Sequence, residues 1–460
     1  MKSGETSRGA CSPFKRWAGV PSLVTPPGPL RGELEWGRFE RRGTRCPSRP
    51  LRHLLLISSA LLTGACQKAN GVPAHDTLSV GGAPLTLVQA NSAFAVAVYG
   101  ELARARTGNL VFSPFSLSAG LELASAGAVG ATAHEFAKAL FLQGSAPVTA
   151  TAFAALDSQL GRDGAKGDNQ LFAANALFGQ RGVAFQAPFT GLLSRDYGAP
   201  LQEVDFQAHA EGAINSWVSG HTNGQIPEIL APGALESSTR AVLATALYFH
   251  GRWARAFDRS RTGDAFFYPG FSPKRVPTMH ATASYPYAHV EGFAVLELPY
   301  LGGTLALDLV LPDARDGLRA VESSLSRERL AIVFDMLRGT EAEVSIPRFA
   351  FALHRELTAP LRALGITLAF DSHAANFSAM DGEDDLFLES VVHAARIEVD
   401  EEGTTASAAT VVHMGTRSLS DFSAGPIEFT ADHPFLFVLR DLPTGEILFL
   451  GRVEDPAAHD

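Results

Sequence analysis

The chain has 460 residues, of which 46% are hydrophobic and 19% are charged, as in ordinary globular proteins with a large core. Its charge is uneven, because residues 1–65 hold 11 Lys/Arg and 4 Asp/Glu, whereas the remainder holds 27 and 44. This acidic remainder excludes binding of nucleic acid through net charge, so we predict no nucleic-acid partner. All three cysteines, Cys11, Cys46 and Cys66, lie near the N-terminus, so the rest of the chain can form no disulfide.

Residues 49–66 have the pattern of an export signal. Basic residues precede an apolar run from Leu54 to Leu62, which is too short to span a bilayer and suits a signal peptide. The following residues up to Cys66 resemble a bacterial lipobox, in which the cysteine is lipidated, although Thr63 stands where Leu is most typical. We expect an extracytoplasmic protein, either a lipoprotein attached to a membrane through Cys66 or a secreted protein. A cytoplasmic chain is the remaining alternative.

The segments that flank this signal carry no predicted fold. Residues 1–48 are rich in Gly, Pro and Arg, and are either an unusually long leader or the result of a misassigned start codon. Residues 67–84 have the composition of a flexible tether. Arg is much commoner than Lys, and Ala and Gly are abundant, a bias that indicates a GC-rich bacterial gene.

From Leu85 onward, helical and strand-like patterns alternate. Phe94, Val98 and Leu102 recur at helical spacing, and Thr132 with Glu135 three residues later predicts a helix that starts with a capping box. Helices are predicted over residues 89–105, 116–128, 132–142 and 210–222. Strands are predicted over residues 169–179, 240–250, 295–311, 343–351, 391–400, 434–440 and 447–453. This order favours one mixed α+β domain with large, mainly antiparallel sheets.

Familiar catalytic and metal-binding motifs are absent from the sequence. There is no G-x-S-x-G, no phosphate-binding loop and no H-E-x-x-H, since the segment that begins at His134 lacks the second histidine. The 14 histidines are scattered without metal-ligand spacing. His413 lies five residues before Ser418, but linear spacing gives no basis for a catalytic triad. We therefore predict a protein that is not an enzyme and that uses no metal and no cofactor.

The segment from Glu401 to Asp421 combines two kinds of composition. Residues 403–416 carry no charge with histidine neutral, and they are mostly small or β-branched, which suits a buried strand. Arg417, Ser418 and the polar run that follows suit an exposed loop. The composition of this one segment thus suits both a buried strand and an exposed loop.

Five ordered segments together resemble the serpin family of serine protease inhibitors. The resemblance covers Leu85 to Pro456, and its segments are residues 109–140, 214–230, 242–262, 393–410 and 429–456. It implies an α+β serpin fold of three β-sheets with eight or nine helices and an exposed reactive-centre loop, in a serpin domain spanning residues 85–456. It also implies a metastable, monomeric suicide inhibitor, which forms a covalent acyl complex with its protease and then inserts the loop into the central sheet.

The resemblance explains the double composition of residues 401–421, because the loop is solvated before cleavage and becomes a central strand afterwards. Charge or Pro along a central strand would be costly. With Gly403 as the hinge glycine, alternate residues share a face. The hinge comprises Glu401, Gly403, Thr404, Thr405, Ala406, Ser407, Ala408 and Ala409. The inward residues would be Thr404, Ala406, Ala408, Thr410, Val412 and Met414. A flexible loop that never inserts is the alternative interpretation.

The reactive bond follows from the family's fixed spacing. Fourteen residues after Gly403 comes Arg417, so the predicted bond is Arg417–Ser418. Arginine suits the acidic primary pocket of trypsin-like proteases, so we predict a trypsin-like serine protease as the partner. The alternative is that Arg417 is only a solvated surface charge.

The resemblance also assigns residues that control opening of the sheet. Ser113, Ser116 and His393 align with the shutter, and Trp253 aligns with the breach, where the loop enters. Thr245 departs from the family pattern, which usually has Asn there, and a hydroxyl cannot make all the hydrogen bonds of an amide. A non-inhibitory serpin, acting as a binding protein or a protease substrate, is the alternative function.

Overall fold

The computed structural model describes residues 86–144, 146–208, 210–383, 385–404 and 425–458. The chain divides into two units, and every described residue lies in the second, Thr77–Asp460. The predictions about the leader, the signal segment, the tether and Cys66 lie outside the described residues. So do those about Thr405, Ala406, Ser407, Ala408, Ala409 and the Arg417–Ser418 bond. No helix in the described part of the chain is long and apolar enough to cross a membrane.

Ten α-helices occur in the described residues. The predicted apolar stripe of the first helix is confirmed, since Phe94, Val98 and Leu102 are all buried, and Thr86 with Gln89 forms its capping box. The helices are α1 Leu87–Ala105, α2 Pro114–Ser125, α3 Gly130–Ala139, α4 Ala146–Gly164, α5 Ala187–Arg195, α6 Glu211–His221, α7 Leu318–Ser323, α8 Arg327–Met336, α9 Thr358–Ala363 and α10 Ser378–Asp381.

The predicted capping box of α3 is wrong. The helix begins at Gly130, two residues before Thr132, and it has no side-chain cap. The Thr132 hydroxyl accepts a hydrogen bond from the backbone of Asn376 at 3.0 Å, and the Glu135 carboxylate accepts one from the backbone of Thr367 at 2.7 Å. Both side chains therefore tie α3 to a distant segment, a pairing that a local sequence motif cannot reveal.

Fifteen strands occur in the described residues, and two predicted runs each prove to be two strands. Residues 295–311 are divided by a turn that contains Gly302 and Gly303 at positive φ, and residues 343–351 are divided at Arg348. The strands are β1 Leu110–Phe112, β2 Gln170–Gln180, β3 Gln202–Val204, β4 Ala241–Arg252, β5 Gly263–Phe267, β6 Lys274–Val290, β7 Phe293–Pro299, β8 Leu305–Pro312, β9 Arg338–Pro347, β10 Phe349–Glu356, β11 Ser390–Val399, β12 Gly403–Thr404, β13 Ile427–Thr430, β14 Phe435–Asp441 and β15 Ile447–Val453.

Hydrogen bonds connect these strands into two sheets. The nine-stranded sheet has the order β1-β15-β14-β8-β7-β6-β9-β13, with β5 also paired to β6. The 17-residue strand β6 pairs with β5 near its start, with β9 along its middle and with β7 at its end. The resemblance implies three sheets, whereas the described strands are connected into two, because the long strand β6 pairs with strands at both of its ends. The six-stranded sheet, which we call the central sheet, has the order β10-β11-β12-β4-β2-β3.

The central sheet is covered on both faces. One face of β4 packs in the main core, and Gly120 of α2 lies so close that a Cβ there would be 2.2 Å from Thr245 Cγ2. The opposite face packs against Ile214 and Val218 of α6. The first nine residues of β4 are buried, and such strands read as continuous apolar runs.

Candidate functional site

In the central sheet, β4 and β11 are directly paired at one end and separated by β12 at the other. Strands β4 and β11 pair in parallel, from Val242↔Ser390 to Tyr248↔Arg396. Beyond that point β12 lies between them, with Gly403 opposite Arg252 on β4 and Thr404 opposite Val399 on β11. We call the directly paired part of β4 and β11 the seam. The first two residues of the predicted hinge strand are thus already part of the sheet.

A tight turn carries the chain from β11 back into the sheet. The Asp400 carboxylate accepts hydrogen bonds from the backbone of Glu402 at 2.9 Å and of Gly403 at 3.1 Å. The backbone N–H of Asp400 donates to the Gly403 carbonyl at 3.0 Å. This arrangement reverses the chain within three residues, so that β12 enters antiparallel to both of its neighbours.

The hinge position needs glycine because two backbones approach closely there. A Cβ at Gly403 would lie 1.9 Å from the carbonyl oxygen of Gly251 on β4. A Cβ at Gly251 would in turn meet the ring of Phe249 at 2.3 Å. Both positions therefore exclude any side chain, which gives a structural reason for the hinge glycine.

Thr404 points inward, as the sequence predicts. Its side chain is buried, and its hydroxyl lies 2.6 Å from the hydroxyl of Tyr300. The Tyr300 ring stacks on Trp253 with 4.5 Å between ring centroids. Trp253 holds the turn twice, since its backbone N–H donates to the Glu402 carbonyl at 2.9 Å and its Nε1 donates to the Asp400 carbonyl at 2.8 Å. The breach tryptophan and the hinge are therefore one hydrogen-bonded unit.

Two neighbouring acidic residues of the turn before β12, Glu401 and Glu402, are both paired. Glu401 is only 1% exposed, and its carboxylate accepts from Thr262 Oγ1 at 2.5 Å and from Arg348 Nε at 2.8 Å. Burial alone would raise the pKa of Glu401, but these hydrogen bonds outweigh it and hold the pKa below its usual range. Glu402 pairs with Arg259 at 2.5 Å. Both contacts fix the turn through which the chain enters β12.

The predicted shutter residues meet where α2 begins behind the seam. His393 Nε2 accepts the backbone N–H of Ser113 at 3.0 Å, and His393 Nδ1 lies 2.8 Å from Thr245 Oγ1. Ser116 donates its hydroxyl to Asn175 on β2 at 2.5 Å. Because Thr245 and His393 are directly paired across the seam, their hydrogen bond would have to break if a strand were inserted between β4 and β11. Thr245 thus makes the crossing bond, while Asn175 accepts the serine hydroxyl.

His393 is fully buried and is held neutral. Burial lowers the pKa of His393 to about 3. Since Nε2 accepts a hydrogen bond from Ser113, the proton of the neutral ring resides on Nδ1, which faces Thr245. Protonation of Nε2 would set two donors against each other, so the shutter is intact only with a neutral ring.

We expect the protein to lose stability as the pH falls from 6.5 towards 3. In that range the unfolded chain binds a proton at His393 that the folded chain does not, so the free energy of unfolding falls by about 1.4 kcal/mol per pH unit from this group. His393→Gln should be less stable at pH 7 but should show a flatter pH dependence, measured by urea unfolding at pH 7, 5 and 4. The exposed His373→Gln is the matched control, and parallel curves for wild type and His393→Gln would refute this assignment.

Several residues of the candidate site were not predicted from the sequence. Four residues hydrogen-bond to the predicted shutter or hinge residues although each lies at least 50 residues from its partner in the chain. They are Asn175, Tyr300, Arg348 and Thr262. Asn175 is a polar residue within an apolar strand run, and that interruption was the one available signal. Within the described residues no group of three or more His, Cys, Asp or Glu could hold a metal ion.

Comparison with known proteins agrees with this geometry. The model of the family described as serpin (serine protease inhibitor) matches residues 89–456. Leukocyte elastase inhibitor A of Rattus norvegicus is 37% identical over 385 residues, covering 80% of this chain and 99% of that protein. Serpin B6 of Pongo abelii is 36% identical over 380 residues, with the same coverage of both chains.

Solved structures show the same architecture. Serpin48 of the insect Tenebrio molitor superposes with a TM-score of 0.71 and 29% identity, covering 80% of this chain and 98% of that one. Arabidopsis AtSerpin1 in its native stressed conformation gives a TM-score of 0.72 and 28% identity, covering 82% and 100%. The chain belongs to the serpin family, and the predicted fold is confirmed. Its bacterial source remains a prediction.

Proposed function

We propose that this serpin is an acyl-trapping inhibitor of trypsin-like serine proteases, cleaved at Arg417–Ser418. The observation that carries the proposal is β12, which already lies between β4 and β11 at the open end of the seam. Membership of the family and the resemblance to proteins named leukocyte elastase inhibitors support protease inhibition. The uncharged stretch from residue 403 to 416 supports insertion, since both faces of the central sheet are buried.

The proposed mechanism has two stages. The protease serine attacks the carbonyl carbon of Arg417, an ester forms, the peptide bond breaks, and the amine of Ser418 leaves. The residues after Thr404 then follow β12 into the seam, where one parallel β4–β11 ladder is replaced by two antiparallel ladders. Full insertion from residue 403 to 417, at ~3.3 Å per residue, carries the tethered protease on the order of 45–50 Å. The distorted protease cannot complete hydrolysis.

Specificity is proposed to follow from Arg417. The relatives are named for elastase, whose primary pocket is small, whereas an arginine requires a deep pocket with a carboxylate. The trypsin-like assignment therefore rests on the spacing from Gly403 and on the identity of this residue.

Arg417→Glu is expected to abolish inhibition of trypsin, because a carboxylate in the primary pocket would face the pocket's own carboxylate. Incubation with trypsin followed by denaturing electrophoresis should show a band at the summed mass for wild type and for the matched control Arg417→Lys, but not for Arg417→Glu. A covalent complex with Arg417→Glu would show that the bond is wrongly placed. Cleavage of wild type without a complex would instead favour a non-inhibitory serpin that is a protease substrate.

A further inference from the structure

A small cavity is lined in part by Trp253. The backbone N–H and Nε1 of this tryptophan are already hydrogen-bonded to the turn before β12. The volume of the cavity is about 130 Å³, and its wall is formed by Trp253, Leu298, Pro286 and Pro299, with Tyr285 and Arg255 also lining it. An apolar cavity of about 150 Å³ is large enough to hold benzene. This cavity therefore has room for one six-membered ring or a short branched chain.

Tyr285 and Arg255 bring hydrogen-bond donors to this cavity. Tyr285 is 3% exposed, and its hydroxyl makes no hydrogen bond to another described residue, although it is not one of the fully enclosed unpaired oxygens. Burial raises the pKa of Tyr285, and the nearby Arg255 cation opposes that rise. The Arg255 guanidinium donates to the Ser284 carbonyl at 3.2 Å, which holds it at the cavity, and its other donors make no hydrogen bond to the described residues. The Tyr285 hydroxyl and the Arg255 guanidinium are therefore donors that an acceptor placed in the cavity could use.

We propose that this cavity binds a small apolar monocarboxylate, such as an arylacetate. The ring would rest on Trp253, Leu298 and the two prolines, and the carboxylate would accept hydrogen bonds from Arg255 and Tyr285. A carboxylate fits because both groups are donors, and the apolar wall offers no partner to a second charge.

The site is distinct from the Gly403–Thr404 strand and from the predicted shutter residues. Trp253 bonds to the turn before β12 through its backbone N–H and Nε1, whereas the Arg255 guanidinium donates to the Ser284 carbonyl. Binding therefore does not depend on protease inhibition. A ligand that binds the folded protein alone should raise the temperature of unfolding.

Titration calorimetry of the full chain with phenylacetate, and with neutral phenylacetamide of the same shape, tests the proposal. Phenylacetate should bind at one site, and phenylacetamide should bind at least roughly tenfold more weakly, because charge-assisted hydrogen bonds are the stronger ones. Arg255→Gln should weaken phenylacetate binding by at least roughly tenfold, and Tyr285→Phe by roughly threefold. Arg261→Gln, an exposed arginine nearby that does not line the cavity, should leave the affinity unchanged.

Three results would overturn the proposal. These are no binding of phenylacetate to wild type, equal affinity for the acid and the amide, and unchanged affinity in both Arg255→Gln and Tyr285→Phe. Formation of the trypsin complex, or simple cleavage by trypsin, checks that each variant is folded. A failure of binding with an intact trypsin complex would count against this site alone and leave the proposed function standing.

Discussion

Thr404→Arg should turn the inhibitor into a substrate that is still cut after Arg417. The Thr404 side chain is buried against Tyr300, so an arginine would have to bury its guanidinium there without a charged partner, at a cost of several kcal/mol. Insertion would slow, and the acyl-enzyme would hydrolyse instead. Denaturing electrophoresis after incubation with trypsin should show cleaved protein and no covalent complex.

Thermal unfolding separates this outcome from simple misfolding. Cleaved wild type should unfold at a markedly higher temperature than the intact form, because the inserted loop adds hydrogen bonds and buried side chains. Cleaved Thr404→Arg should gain much less. Thr404→Ser, which keeps the hydroxyl opposite Tyr300, should behave as wild type. Equal unfolding temperatures for cleaved and intact wild type would mean that no strand inserts, and the inhibitory mechanism would fail.

Arg440→Leu should lower the free energy of unfolding by about 3–5 kcal/mol, because it leaves two buried carboxylates without their cation. Arg440 Nε donates to Asp308 at 2.6 Å, and the same guanidinium donates to Glu297. Asp308 and Glu297 are directly opposite each other on β8 and β7, so without the arginine their charges repel. Burial first, and then Asp308, raises the pKa of Glu297 to about 7 even with the arginine present.

Urea unfolding of the intact protein at pH 8 measures this loss. Arg104→Gln is the matched control, because Arg104 forms an exposed pair with Glu101 within one helix and should cost less than about 1 kcal/mol. The triple variant Arg440→Met, Glu297→Met, Asp308→Leu should recover much of the stability, since removing a whole buried ion group is far less harmful than breaking it. A change below 1 kcal/mol for Arg440→Leu would contradict a structural role for the pair.

Local patterns predicted the elements of this fold well where one face or both faces are apolar. The strand Ile447–Val453 has the predicted bounds. Alternation along a strand predicted which hinge residues share a face, and the serpin resemblance implied that the face of Thr404 is the inward one. The capping box at Thr132 failed because both side chains have partners far along the chain.

The polar contacts of the site were less predictable, for one physical reason. Residues such as Asn175 and Tyr300 act through partners that strand register brings together, and register is a property of the assembled sheet rather than of any segment. The resemblance supplied Ser113, Ser116, Thr245 and His393 as a set, but the roles of Thr245 and Asn175 became clear only from the geometry.

Because β12 already separates β4 from β11 at one end, the seam can open from that end one residue pair at a time. In a flawless sheet a new strand would have to rupture all seven register pairs between β4 and β11 together. With β12 in place, the next pair to separate is Tyr248 and Arg396. Under the proposed mechanism, the hydrogen bonds lost at each pair are replaced at once by bonds to the incoming chain. Under the proposed mechanism the free-energy barrier to insertion is therefore that of separating one pair at a time. The Thr245–His393 hydrogen bond, three pairs further along, adds to the barrier of its own step and can stop insertion there.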